Sequence, residues 1–158
     1  MDPLKNGSHF DICESMRRVL ISMEKKITDR HLDVDADIPE EPILVRGDND
    51  MITQVIYNLL ENATKFAREG TTLYLGVTTI DGKARVTVRN LGDTIPAEEL
   101  PLLFERFHKS DKSRSEDKDG VGLGLYIVKT ILEQHKEKIS VTSENGVTTF
   151  AFSLSMDA

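Results

Sequence analysis

The stretch DNDMITQVIYNLLENATKFAR, Asp48 to Arg68, decides how the rest of the chain is read. Ile52, Val55, Ile56, Leu59, Leu60 and Ala63 recur at three- and four-residue spacing, an apolar stripe with helical period. A second stripe is polar. Gln54, Asn58, Asn62 and Lys65 follow at spacings of four, four and three, with Glu61 beside them. At about 3.6 residues per turn these side chains stand on one ridge. Amides and a lysine in line suit a metal ion and phosphates. The same pattern also serves as a plain solvated face, and this helix alone does not separate the two.

The 158 residues suit one domain with a single core, and 39% hydrophobic with 30% charged residues is a globular composition. The formal net charge of −7 argues against broad contact with nucleic acid or a membrane surface, both of which need clustered positive charge. The single cysteine, Cys13, has no partner for an internal disulfide, and the histidines (His9, His31, His108, His135) show no metal-ligand spacing. Cys13 therefore reads as a core residue, and a zinc site is not expected. No apolar run approaches the ~18 residues of a membrane span, and no secretory signal opens the chain. Residues 1–9 are polar and turn-rich and read as a linker or cloning remnant, with one domain over 10–158.

Phe10 to Ile27 has helical period, with Asp11 as N-cap and Glu14 as capping-box partner. His31–Asp37 and Ile43–Val45 read as short strands either side of a proline turn. Gly70 is expected to end the Asp48–Arg68 helix. Thr71–Ile80 and Lys83–Arg89 form a hairpin around Asp81-Gly82. The Asn90–Pro96 loop leads to a helix over AEELPLLFERF that Pro101 breaks or shortens. His108 to Asp119 holds eight charged residues, three serines and no apolar side chain, the composition of a flexible lid or an ordinary surface loop. Gly120-Val121-Gly122-Leu123-Gly124 opens a last helix, and Lys138–Ser143 with Val147–Leu154 closes the chain as a hairpin around Asn145-Gly146. The sum is α+β: one mixed, largely antiparallel sheet with helices on one face.

A glycine segment at a helix start offers free backbone N–H groups and the positive end of the helix dipole to an anion. GVGLG lacks the lysine of a P-loop and the spacing of a dinucleotide fingerprint.

Taken in order, these segments resemble the catalytic ATP-binding domain of sensor histidine kinases. NLLENATKF resembles the N box, VRNLGDTIP the first glycine box, LLFERF the F box, GVGLGLYIVKTILEQH the second glycine box and VTTFAFSL the closing strand. The resemblance spans Phe10 to Leu154 and implies the Bergerat α/β sandwich with an ATP lid. It implies ATP and Mg2+ as cofactors. Asn62 would ligate Mg2+ with Asn58 near it, and amide oxygens are hard donors suited to that ion. Lys65 would contact phosphate, and Phe66 would stand where an aromatic packs on adenine. Gly92 would let the backbone approach the base. Gly120, Gly122 and Gly124 would shape the phosphate end, with N–H groups from Leu123 and Leu125. Ile95, Phe107 and Thr149 complete the implied nucleotide contacts. Phe104 and Phe107 would anchor the lid, and Arg106 would reach phosphate or a partner; for these three, packing is the competing role.

Two departures bear on function. The first glycine box normally opens on an aspartate that accepts from the adenine amino group. Asn90 stands there, an uncharged acceptor that makes a weaker bond, and Thr94 replaces the second glycine. Asn58 stands where hydrolytic relatives carry a glutamate that activates water, and an amide is no general base. The resemblance therefore implies phosphotransfer: Mg-ATP is bound and its γ-phosphate passes to a protein histidine, with Glu61 either the base or a surface residue. No histidine here sits in a phosphoacceptor pattern, so the acceptor lies on a separate dimerisation domain, and Met1 would follow a cut after its helices. A response regulator would take the phosphate onward. The implied setting is a monomeric cytoplasmic domain of a membrane-anchored sensor. Competing readings are a hydrolytic ATPase of the same fold, a serine-kinase anti-sigma regulator, and a nucleotide-binding module without catalysis.

Overall fold

The computed structural model describes residues 3–4, 8–105 and 124–156. A five-stranded sheet carries the fold, in the order β2 (Asp33–Asp37), β4 (Thr72–Ile80), β5 (Lys83–Leu91), β7 (Val147–Ser155), β6 (Ser140–Glu144). Only β2 against β4 is parallel; the other pairings of this sheet are antiparallel. Both predicted hairpins form on residues that tolerate positive φ, Asp81 (52°) with Gly82 (78°) and Asn145 (51°) with Gly146 (80°). Two successive positive φ values match the twist of the flanking strands.

Alternation decides which face is covered. Leu73, Leu75 and Val77, then Ala84, Val86 and Val88, then Phe150, Phe152 and Leu154 are all buried on one side. Against that side lie α1 (Ile12–Ser22), α3 (Asn49–Phe66) and α4 (Gly124–Gln134), with the short α2 (Glu24–Asp29) after α1. The helix α3 is central, packing on α1, α4 and β5. Its buried residues include the whole predicted apolar stripe, Ile52, Val55, Ile56, Leu59, Leu60 and Ala63. Each large side chain of this kind contributes about 1.5–3 kcal/mol on burial. Cys13 is fully buried, and its thiol pKa is raised by that burial, then by the nearby Asp11 charge. Among the described residues no helix is long and apolar enough to cross a membrane.

Several expectations change in detail. The first helix is two: Met23 ends α1, donating to Val19 and Leu20 O, and starts α2 with its side chain fully buried. The apolar period runs unbroken through the junction, so the pattern does not show it. Asp11 caps α1 as expected, but it serves Cys13 N and Ile43 N, while Glu14 pairs with Arg18 and not with the cap. The strand expected over Ile43–Val45 is β3 (Leu44–Arg46), and it pairs with β1 (His9–Asp11), outside the main sheet. β1 thus begins within the stretch read as a linker. Gly70 does not cap α3. The chain leaves the helix at Ala67, whose backbone is extended, because Arg68 N already donates to Leu91 O. Of the helix expected over AEELPLLFERF, the described residues form a 3-10 turn, Leu100–Leu102, with Pro at its start.

Candidate nucleotide site

Two ties hold the polar ridge of α3 against α4. At one end, Asp48 accepts from Met51 N as the N-cap of α3, while Asp48 N donates to His135 Nε2 at 3.1 Å. His135 lies just past α4, almost wholly buried, with Nδ1 at 2.9 Å from Ile131 O. A ring that donates from Nδ1 and accepts at Nε2 is the neutral tautomer. Gly47 makes room for it, since a Cβ there would meet His135 Cδ2 at 2.7 Å. At the other end, Asn58 Nδ2 donates to Gly124 O at 3.0 Å. From Asp48 to Asn58 is about 15 Å of helix and from Gly124 to His135 about 16 Å. The two helices therefore run antiparallel, in a register that sets Asn58 beside the N-terminus of α4. Gly124 and Leu125 stand in the first turn of α4, where backbone N–H groups have no carbonyl partner within the helix.

The ridge residues do different things. Asn58 is occupied on both sides, donating to Gly124 O while its Oδ1 accepts from Gln54 Nε2 at 2.6 Å. Its oxygen is thus engaged by Gln54. Among the described residues the Asn62 carboxamide has no hydrogen-bond partner, so its hard oxygen is available to a cation. Lys65 Nζ lies over the Phe66 ring, 5.4 Å from its centroid. Glu61 is held away from the ridge: Lys26 Nζ on α2 reaches its Oε2 at 2.7 Å, and Tyr57 OH is 3.3 Å off. The Lys26 pKa is raised, first by that bond to Glu61 and next by the bond to Tyr57.

The other wall is the end of β5 and its loop. Gly92 touches the C-terminus of α3: Ala67 and Gly92 form a bridge, Gly92 N donates to Gly146 O, and a Cβ on Gly92 would meet Phe66 O at 2.6 Å. Only glycine permits that approach. Thr94, which replaces a glycine, ties the loop down by accepting from Gly146 N at 2.6 Å. Ile95 N donates to Ser143 Oγ at 2.8 Å. Asn90 is 4% exposed and faces the helices.

Thr149 requires a correction. It pairs with Arg89 and accepts from Arg89 Nε at 3.1 Å, on the open face of the sheet. Thr148, one residue earlier, pairs with Asn90 and is buried on the helix side. A one-residue step exchanges the faces of a strand, so it is Thr148, not Thr149, that shares the face of Asn90. Asn58, Asn62, Lys65 and Phe66 lie along α3, and Asn58 joins that helix to Gly124 at the start of α4. Asn90, Gly92 and Ile95 form the adjoining wall. Arg106, Phe107, Gly120, Gly122, Leu123 and the charged lid lie outside the described residues. Phe104 packs edge-on against Phe150, centroids 6.1 Å apart, which is a core role. Sequence reasoning missed Thr148, Ser143, His135 and Lys26; only the strand parity of Thr148 was readable beforehand.

A family model described as "Histidine kinase-, DNA gyrase B-, and HSP90-like ATPase" matches residues 47–158. The chain is 40% identical over 110 residues to the sensor histidine kinase CusS of Escherichia coli K12, covering 70% of this chain and 23% of CusS. It is 34% identical over 137 residues to the sensor histidine kinase YkoH of Bacillus subtilis, covering 87% of this chain and 29% of that protein. Among solved structures, the nucleotide-free catalytic domain of histidine kinase ThkA superposes with a TM-score of 0.82 at 28% identity, covering 94% of both chains. ThkA in complex with the response regulator TrrA superposes at 0.78 with 27% identity, covering 95% of this chain and 42% of that one. The chain thus spans about a quarter of the length of the curated relatives it matches.

Proposed function

The chain belongs to the family of histidine kinase-, DNA gyrase B- and HSP90-like ATPases, and on that premise we propose that it is the ATP-binding half of a sensor histidine kinase. ATP binding comes with the family. Mg2+ as its companion ion, and transfer of the γ-phosphate to a histidine on a separate dimerisation domain, are the proposal's own. When bound, Mg-ATP supplies the transferable phosphoryl group and the cation that offsets its charge. Asn62 holds the cation through its amide oxygen, and Lys65 meets phosphate as a point charge. The first-turn N–H groups of α4 receive phosphate oxygens. Gly92 lets the base approach the backbone.

One observation carries the choice of phosphotransfer over hydrolysis. The position that would activate water is Asn58, whose amide latches Gly124 O and Gln54. It offers no basic lone pair, and the carboxylate beside it on the helix, Glu61, is bound to Lys26. The acceptor domain, a response regulator for onward transfer and a membrane anchor complete the proposed protein; residues 10–158 are its catalytic unit, monomeric on its own and cytoplasmic.

The test supplies a dimerisation domain in trans with γ-labelled ATP and Mg2+. Acid-labile label on the acceptor histidine is expected, and Asn62→Ala should abolish it. Steady phosphate release by this chain alone, with no label on the acceptor, would establish a hydrolytic ATPase in its place; acid-stable label would point to transfer to serine.

A further inference from the structure

Three polar side chains form a row across three strands at the base end of the site. Asn90 on β5 pairs in register with Thr148 on β7, which pairs with Ser143 on β6. All three are buried, at 4%, 4% and 9% exposure. Ser143 Oγ and Thr148 Oγ1 are 2.8 Å apart, and Ser143 also accepts from Ile95 N. Among the described residues the Asn90 carboxamide has no hydrogen-bond partner. Yet Arg30 Nε is the one fully sealed, partnerless side-chain atom among the described residues. The little exposure that Asn90 keeps is therefore at its amide end. A buried carboxamide without a partner is costly unless a ligand pairs with it.

The chemistry of the row is ambivalent throughout. A carboxamide presents both a donor and an acceptor, and each hydroxyl can be either. The nearby carboxylate, Asp93, is turned outward toward Arg68 at 3.7 Å with its side chain 68% exposed. Resting on the nucleotide reading above, we propose that this site does not select a 6-aminopurine. It accepts a 6-oxopurine nucleoside triphosphate about as well, with Asn90 as the specificity-determining residue. Toward adenine, Oδ1 accepts from the 6-amino group while Nδ2 donates to N1. Turned over, Nδ2 donates to the 6-oxo group while Oδ1 accepts from N1–H. A carboxylate oxygen held opposite the 6-position accepts only: there it matches the amino group and opposes the oxo lone pairs. The discrimination that buried polar groups normally enforce is absent, because no described partner fixes which way the Asn90 amide is turned.

Calorimetric titration of the chain with Mg2+ and ATP, GTP or ITP tests this. The three affinities are expected within about tenfold, and Asn90→Asp should widen the preference for ATP over GTP by about tenfold or more. ITP carries the 6-oxo group without the 2-amino group. ATP-like binding of ITP with weak GTP binding would therefore locate the loss at position 2 and uphold the proposal. ATP binding with both 6-oxopurines about a hundredfold weaker or more would overturn it and leave the ATP site standing, and so would an unchanged ATP-to-GTP ratio in a folded Asn90→Asp protein. Failure of all three nucleotides to bind would overturn the nucleotide reading itself. The wild-type series decides the matter even if Asn90→Asp does not fold.

Discussion

Replacing Gly92 with alanine puts a methyl 2.6 Å from Phe66 O, with Arg68 N at 3.5 Å. Ordinary contact begins at 3.4 Å, so the carbonyl and the loop must separate by about 0.8 Å. Neither side yields easily. Phe66 is the last residue of α3, Ala67 bridges to Gly92, and Arg68 N donates to Leu91 O at 2.7 Å. Arg30 Nη2 also donates to Ala67 O, fixing the helix end from behind. Overpacking of this kind costs about 1–3 kcal/mol. A shift approaching 1 Å at a positioned ligand is worth on the order of a hundredfold, so Mg-ATP affinity should fall about tenfold to a hundredfold. Gly124→Ala is the control for stability alone: no described atom lies within 4 Å of a Cβ there, so no overpacking loss in the urea midpoint is expected. Urea melts on both variants and ATP calorimetry on Gly92→Ala check the pair. A folded Gly92→Ala protein with unchanged midpoint and unchanged ATP affinity would refute the close-approach reasoning.

Three further outcomes follow from the ties around the site. His135→Ala leaves Asp48 N without its acceptor and opens a cavity beside Gly47, so the urea midpoint should fall by the equivalent of about 2–4 kcal/mol; a wild-type midpoint would show that the buried ring carries no such tie. Glu61→Gln should leave phosphotransfer within about threefold of wild type, because the carboxylate is engaged by Lys26 and loss of an exposed pair costs at most about 1 kcal/mol; a drop of about a hundredfold or more would identify Glu61 as a general base after all. Cys13 is held above its usual pKa, first by burial and then by Asp11, so its contribution to stability is complete below the unfolded thiol value near ~8.5 and is lost as the pH rises above it. Urea midpoints at neutral and alkaline pH should converge between wild type and Cys13→Ala as pH rises, and a constant difference would contradict the assignment.

Much of this architecture was legible because the apolar patterns are clean. The stripe of α3 and the alternation of β4, β5 and β7 each have one period and one buried face. The turn chemistry of Asp81-Gly82 and Asn145-Gly146 was equally readable, since positive φ selects those residues. What failed lay where tertiary contacts override local signals. Gly70 looked like a helix stop, but the Gly92 strand pulls the chain out of α3 three residues earlier. Met23 carries no glycine or proline, so nothing local announces the break between α1 and α2.

The site divides in the same way, and the division shows what a ridge of amides does. Asn58 and Asn62 are identical in type and one helical turn apart, so sequence treats them alike. Their surroundings separate them. Asn58 has Gln54 one turn before it and the exposed end of α4 opposite, so its amide becomes a fastener between helices. Asn62 has Lys65 and Phe66 after it and no hydrogen-bond partner among the described residues, so its oxygen remains for a ligand. The fastener matters to the ligand site, because it fixes where the N–H groups of α4 stand relative to Asn62. Asn58→Asp would test that division: a carboxylate cannot donate to Gly124 O and would oppose it. The expected result is loss of the α3–α4 tie, about 1–3 kcal/mol of stability and weaker Mg-ATP binding, without a gain in phosphate release. A gain in hydrolysis with stability intact would mean that position 58 faces the γ-phosphate and not Gly124.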